Sequence, residues 1–221
     1  MARPVLIMGK SGSGKSASLR NFTPDDIDII NVIGKELPFR SEFKNIYQTD
    51  DYAKVLAAVK KSSKPAVVID DAGYLITNQF MKNHASTGAG NAVFSLYNSM
   101  ADNFWTLITA IKELDAPEKI VYLMMHEEQN DFGAIKPKTI GKLLDEKVCI
   151  EGLFTIVLRS EKDGDRYVFK TKTTGLDVTK TPIGMFEEEE IDNDLKMVDA
   201  TIREYYSMTS NKNKGGERND Y

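Results

Sequence analysis

A lysine and a serine that follow a glycine-rich turn are suited to holding a chain of phosphates. Residues 4–16 read PVLIMGKSGSGKS: an apolar run enters Gly9, and Gly14-Lys15-Ser16 closes the pattern. This is G-x-x-x-x-G-K-[ST] set between a strand-like run and the start of a helix, the context in which it binds a nucleoside triphosphate. Glycine lets the backbone wrap closely, so the N–H groups of Gly9, Lys10, Ser11, Gly12, Ser13 and Gly14 can converge on phosphate oxygens. A short helix, expected to run from near Gly14 to about Asn21, adds the partial positive charge of its N-terminus. Lys15 is placed to reach the β and γ phosphates, and the Ser16 hydroxyl to hold Mg2+. A nucleoside triphosphate with Mg2+ is therefore the expected ligand.

Two further strand ends offer polar groups to the same chemistry. Ala66-Val67-Val68-Ile69-Asp70-Asp71 is an unbroken apolar run closed by two carboxylates. Such a run suits a strand buried on both faces of a parallel sheet, and ligands gather beyond the carboxyl ends of such strands. Asp70 is the expected metal carboxylate, acting through water. Asp71 either helps to polarise an attacking water or caps the next helix. Ile120-Val121-Tyr122-Leu123-Met124-Met125 is a second buried run, followed by His126-Glu127-Glu128. In a parallel sheet His126 faces the nucleotide and can stabilise a γ phosphate; otherwise it is structural.

The elements that position these groups alternate along the chain. Ile27 to Val32 reads as a strand. Asp50 or Asp51 caps a helix with Tyr52, Val55, Leu56 and Val59 on one face. Asn83 to Asn91 is small and polar and reads as a loop, with His84 exposed in it. A long helix follows, carrying Val93, Tyr97, Met100, Phe104, Leu107, Ile108, Ile111 and Leu114 as a core stripe. Glu127 to Lys147 is too broken for a helix and long for a connector. Phe154 to Arg159 and Arg166 to Lys172 read as antiparallel strands about the Asp163-Gly164 turn. Glu187 to Glu190, Asp192 and Asp194 are expected to open a last helix reaching Tyr206. A polar, disordered tail is expected over 207–221, which leaves one domain over 1–206.

Composition limits the alternatives. The chain has 221 residues, 41% hydrophobic and 28% charged, with a net charge of −4. That balance suits a globular domain and argues against a uniformly basic nucleic-acid binder. The single cysteine, Cys149, permits no internal disulfide, and its apolar neighbours predict a buried structural thiol. A strand that starts within the first residues leaves no room for a signal peptide, and no apolar run approaches membrane-spanning length. The expected location is the cytoplasm, that of the host if a phage encodes the chain, with no membrane partner.

The order of these parts resembles the RecA-like core ATPases, most closely the short phage-encoded P-loop ATPases that anneal single-stranded DNA. The likeness covers roughly residues 4 to 175. It rests on Gly9 to Ser16, on Val67 to Asp71 followed by Gly73-Tyr74, on the strand ending in His126, and on Lys170-Thr171-Lys172. It implies an α/β fold: a RecA-like P-loop core with a mainly parallel sheet flanked by helices, ending in an antiparallel hairpin. It further implies ATP hydrolysis coupled to single-stranded DNA, with DNA-binding loops at Asn83 to Asn91 and Glu127 to Lys142.

In the second loop Lys136 and Lys138 would neutralise phosphates and Phe132 would stack on a base; the alternative is a solvated loop. Lys170 and Lys172 resemble lysines that reach a neighbour's ATP site, which implies a homo-oligomer with sites at subunit boundaries; the alternative is a solvated strand face. The family's catalytic glutamate would be Glu36, in competition with Asp71. A replication or single-strand-binding protein is a further implied partner. A helicase-loader-like ATPase and a P-loop nucleotide kinase are the other readings. The kinase needs an arginine-rich lid, and arginines are few here.

Overall fold

The computed structural model describes residues 1–208. It is an α/β structure built on a mostly parallel mixed sheet flanked by helices. In chain order the strands are β1 (Arg3–Gly9), β2 (Ile27–Asn31), β3 (Tyr47–Gln48), β4 (Ala66–Asp70), β5 (Ile120–Gln129), β6 (Ile135–Pro137), β7 (Ile156–Asp163), β8 (Arg166–Lys170) and β9 (Glu190–Asp192). The α-helices are α1 (Tyr52–Lys61), α2 (Tyr74–Asn83), α3 (Asn91–Glu113) and α4 (Leu195–Tyr205). Across the sheet the order is β3-β2-β4-β5-β1-β7-β8-β9, with β6 paired to β5. Along this order the strands from β3 through β7 run parallel; β8 adds antiparallel to β7, and β9 antiparallel to β8.

The central strands carry unbroken apolar runs, Val5 to Met8, Ala66 to Ile69 and Ile120 to Met125, because helical layers cover both faces. Alternation along β1 sends Leu6 and Met8 to one side and Val5 and Ile7 to the other. The first pair packs in a core with Val55 and Val59 of α1, Leu75 of α2 and Phe104 of α3. The second packs with Leu19 and Phe22 and with Leu195, Val198 and Ile202 of α4. Asp51 caps α1 by accepting from the Lys54 N–H at 3.0 Å, as its sequence predicts. The buried Tyr122 hydroxyl donates to Asp199 of α4 at 2.8 Å, which ties that helix to β5.

Several elements differ from the sequence expectation. Past Ser16 the chain makes only a 3-10 turn, Ser16–Leu19, which carries too few aligned peptides for a helix dipole of consequence. The stretch Glu127 to Lys142 is no open loop. Its first part extends β5 and folds back through β6 as an antiparallel hairpin, Glu127 opposite Pro137. The acidic run does not start the last helix: Glu190–Asp192 pairs with β8 as an edge strand, and Asp194 caps α4. Strand β8 ends at Lys170, so strand alternation does not extend to Lys172. On α3, Val93 is exposed and Tyr97 half-buried, so the core stripe starts in effect at Met100. Cys149 is exposed rather than buried; its neighbour Ile150 takes the core position.

Met208 is buried in the α4 core, two residues past the expected domain boundary. Residues 209–221 of the expected tail lie outside the described residues. Among the described residues no helix is long and apolar enough to cross a membrane.

One buried ion pair joins the two strands that flank β1. Arg159 of β7 donates to Glu127 of β5 through Nε at 2.8 Å and Nη2 at 3.0 Å. The Glu127 side chain is 2% exposed and that of Arg159 11%. Removing one member leaves the other charge buried and unpaired. Arg159→Ala is expected to lower unfolding free energy by about 3–5 kcal/mol in urea titration. The apolar double replacement Arg159→Met with Glu127→Leu is expected to recover most of that loss; a single variant as stable as wild type would contradict the pairing.

Candidate functional site

Parallel pairing brings the polar strand ends to one edge of the sheet. Gly9 at the end of β1 lies in register with His126 of β5, and Asn31 at the end of β2 with Asp70 of β4. Gly9, Lys10, Ser11, Gly12, Ser13, Gly14, Lys15 and Ser16 form a turn directly above this edge. Its closeness demands glycine at its root: a Cβ on Gly9 would overlap both Ser13 Oγ and the Ser160 carbonyl. The outer limb is pinned from β7, where Ser160 Oγ donates to the Ser13 carbonyl at 2.7 Å. Asn193 in turn donates to Ser160 Oγ at 3.2 Å.

The two motifs meet through one hydrogen bond. Ser16 Oγ donates to Asp70 Oδ1 at 2.9 Å, across 54 positions of chain. Lys15 folds back over the turn, its Nζ donating to the carbonyls of Gly9 and Lys10, both at 2.8 Å. Burial lowers its pKa from the ordinary lysine value to about 8, against the opposing pull of Asp71, Asp70 and Glu127.

Two neighbouring carboxylates are shifted in opposite directions by their surroundings. Burial and the adjacent Asp71 charge raise the Asp70 pKa, while the Ser16 bond works the other way. Burial also acts against the Asp71 carboxylate, but bonds from His126 and Lys35 outweigh it and its pKa is lowered. Asp71 Oδ2 lies 2.7 Å from Lys35 Nζ, and Oδ1 3.4 Å from His126 Nε2. The Lys35 pKa rises through its bond to Asp71. Asp71 also has a left-handed backbone, φ 59°, uncommon outside glycine though tolerated by Asp. That conformation turns the chain out of β4 with the carboxylate beside β5. Asp71 is thus no cap of α2; the N-cap is Gly73, without a side-chain bond.

One cavity of about 260 Å³ collects these groups: Gly12, Gly14, Lys15 and Ser16 of the turn, Asp70, Asp71, His126 and Glu36. Four candidate catalytic residues, Lys15, Asp71, Glu36 and His126, therefore border the same space. Lys170 and Lys172 do not line it. Lys170 pairs with Glu190 at 2.5 Å, and Lys172 donates to the Glu187 carbonyl at 2.7 Å. A second cleft of about 330 Å³ adjoins the first, shares Ser11, Lys35 and His126 with it, and continues along Tyr74, Thr77 and Lys138. Phe132, 91% exposed, stands at the tip of the β5–β6 hairpin. Lys136 is held within the fold by the Asp145 carbonyl at 3.0 Å and by Glu128 at 3.4 Å.

The cradle suits a polyphosphate with a hard cation. Among the described residues no group of three or more His, Cys, Asp or Glu could form a metal cage of protein ligands. One hydroxyl and one carboxylate, Ser16 and Asp70, fit Mg2+, which takes its other ligands from water and phosphate. Sequence reading misses Lys35, Ser160, Asn193, Arg159 and Tyr167. Lys35 adjoins the chosen Glu36, and the others have no motif around them.

Comparison with models of known protein families finds no match, and comparison with curated protein sequences finds none.

The Lys15 pKa gives the site a pH signature. The unfolded chain keeps a proton on Lys15 up to about 10.5 and the folded chain only to about 8, so this group makes stability rise with pH across that window. Anion binding has the opposite sign, because a bound phosphate favours the charged lysine. Affinity for inorganic tripolyphosphate, as a probe of anion binding at the turn, is expected to fall as pH rises above about 8, by up to about tenfold per unit. Titration calorimetry between neutral and alkaline pH measures it, with proton uptake on binding above the Lys15 pKa. An affinity that stays flat through this range would contradict an anion-facing Lys15.

Proposed function

We propose that the chain binds and hydrolyses ATP with Mg2+ and couples this to holding single-stranded DNA, as a RecA-like P-loop ATPase of the annealing type. The observation that carries the reading is the Ser16–Asp70 hydrogen bond, with Lys15, Asp71 and His126 around the same cavity. In this reading the backbone of Gly9 to Gly14 and the Lys15 ammonium bind the phosphates. Ser16 and Asp70, the latter through water, would hold Mg2+, which would supply charge stabilisation to the phosphates.

The Asp71 carboxylate, kept ionised by Lys35 and His126, accepts a hydrogen bond from the attacking water and aligns it. Asp71 is better placed for this than Glu36, which is exposed at the rim. His126, beside Gly9, donates toward the γ-phosphate oxygens.

DNA binding is proposed from the hairpin that extends the His126 strand. Phe132 offers a free aromatic face for a base, and Lys138 lines the cleft that adjoins the nucleotide cavity. Lys136, bound to Glu128 and Asp145, contributes less. The lysines proposed to act on a neighbour's site, Lys170 and Lys172, would have to leave Glu190 and the Glu187 carbonyl when a second copy docks. One observation favours a loader-like reading: Met81, Val93 and Phe94 are exposed near the α2–α3 turn, a surface a protein partner could cover.

An ATPase assay with and without single-stranded DNA tests the proposal. Turnover is expected to rise with DNA, and Lys15→Ala to lower it by about a hundredfold or more. Annealing of free complementary oligonucleotides is expected for the first reading and absent for the loader. Turnover unchanged in Lys15→Ala would refute the site.

A further inference from the structure

We propose that Tyr167 is the platform on which the base of the bound nucleotide stacks. The inference rests on the nucleotide reading above and adds to it the end of the ligand that no motif identifies.

Sheet order sets the direction of the ligand. The metal and water groups, Asp70, Asp71 and His126, come from β4 and β5, on one side of β1. Strands β7 and β8 lie on the other side. A triphosphate with its terminal phosphate beside Asp71 therefore leads its sugar and base away, toward β8. Tyr167 of β8 waits there, lining the same cavity as Gly14, Ser16 and Ala17. Among the described residues it is the only Phe, Tyr or Trp ring that does so.

The ring is seated on the turn itself. A Cβ built on Gly14 would come within 2.8 Å of Tyr167 Cδ1 and 3.0 Å of Cγ, and Gly14 has φ +98°. Glycine at this position thus serves a second purpose beside its backbone angle: it lets the aromatic ring lie against the phosphate cradle. Tyr167 remains 41% exposed, so its outer side is open to the cavity. Its backbone is fixed by the neighbouring β9 turn, where the Asn193 N–H donates to the Tyr167 carbonyl at 3.2 Å. An aromatic face set in this way stacks on any flat base, and it adds no donor in the plane of the base to select one. Base selectivity is accordingly expected to be weak, with ATP and GTP binding within about tenfold of each other.

Titration calorimetry with Mg2+-ATP and with Mg2+-tripolyphosphate, which has no base, separates the roles. Tyr167→Ala is expected to weaken ATP by about tenfold and leave tripolyphosphate unchanged, while Tyr167→Phe keeps wild-type affinity for both. Equal weakening of both ligands in Tyr167→Ala would show that the ring only supports the turn, and would overturn the proposal. So would unaltered ATP affinity, with the nucleotide reading left standing. Failure of the wild-type chain to bind either ligand would overturn both.

Discussion

Everything at the site depends on parallel pairing that ends at one level. Three buried strands, β4, β5 and β1, deliver Asp70, His126 and Gly9 to the same edge, and register leaves no freedom in the matter: a slip of one residue would turn each side chain to the opposite face. The Ser16–Asp70 bond is a local consequence of this frame. It costs the fold little, since both groups are already brought together by strands packed for other reasons.

The frame also explains the electrostatics. Asp70 and Asp71 are adjacent and buried, so one medium acts on both, yet they carry opposite shifts. The difference comes from geometry. Asp70 continues the strand toward the neutral Ser16 hydroxyl, while the left-handed turn at Asp71 swings its carboxylate to Lys35 and His126. Lys35, held by a tight turn in which the Gly34 N–H donates to Asn31 Oδ1 at 2.7 Å, completes the balance.

How much of this is legible in the sequence follows from how local each signal is. The central strands are continuous apolar runs, and Gly9 to Ser16 has its spacing within one turn, so both can be read directly. Asp70 can be read once the first motif is known. Tyr167, Ser160 and Arg159 cannot, because their relation to the turn depends on β7 and β8 lying beside β1, and strand order is not written in any window of residues. The acidic run misleads for a related reason. Glu190-Ile191-Asp192 satisfies helix-start chemistry, but pairing with β8 and the cation partners Lys170 and Arg166 draw it into the sheet edge. The hairpin after His126 is similar, its short β6 being held by cross-strand bonds rather than by apolar content.

The proposed coupling needs only short distances. His126 borders both the nucleotide cavity and the cleft that leads to Lys138, and the Lys138 N–H donates to the His126 carbonyl at 2.8 Å. A ligand at Lys138 and one in the cradle would therefore touch residues joined by that hydrogen bond. The most direct test of the central claim is a crystal structure with Mg2+ and a non-hydrolysable ATP analogue. The expected result is a triphosphate wrapped by Gly9 to Gly14, with the metal between Ser16 Oγ and the Asp70 carboxylate. A nucleotide bound elsewhere, or a metal remote from both residues, would contradict it.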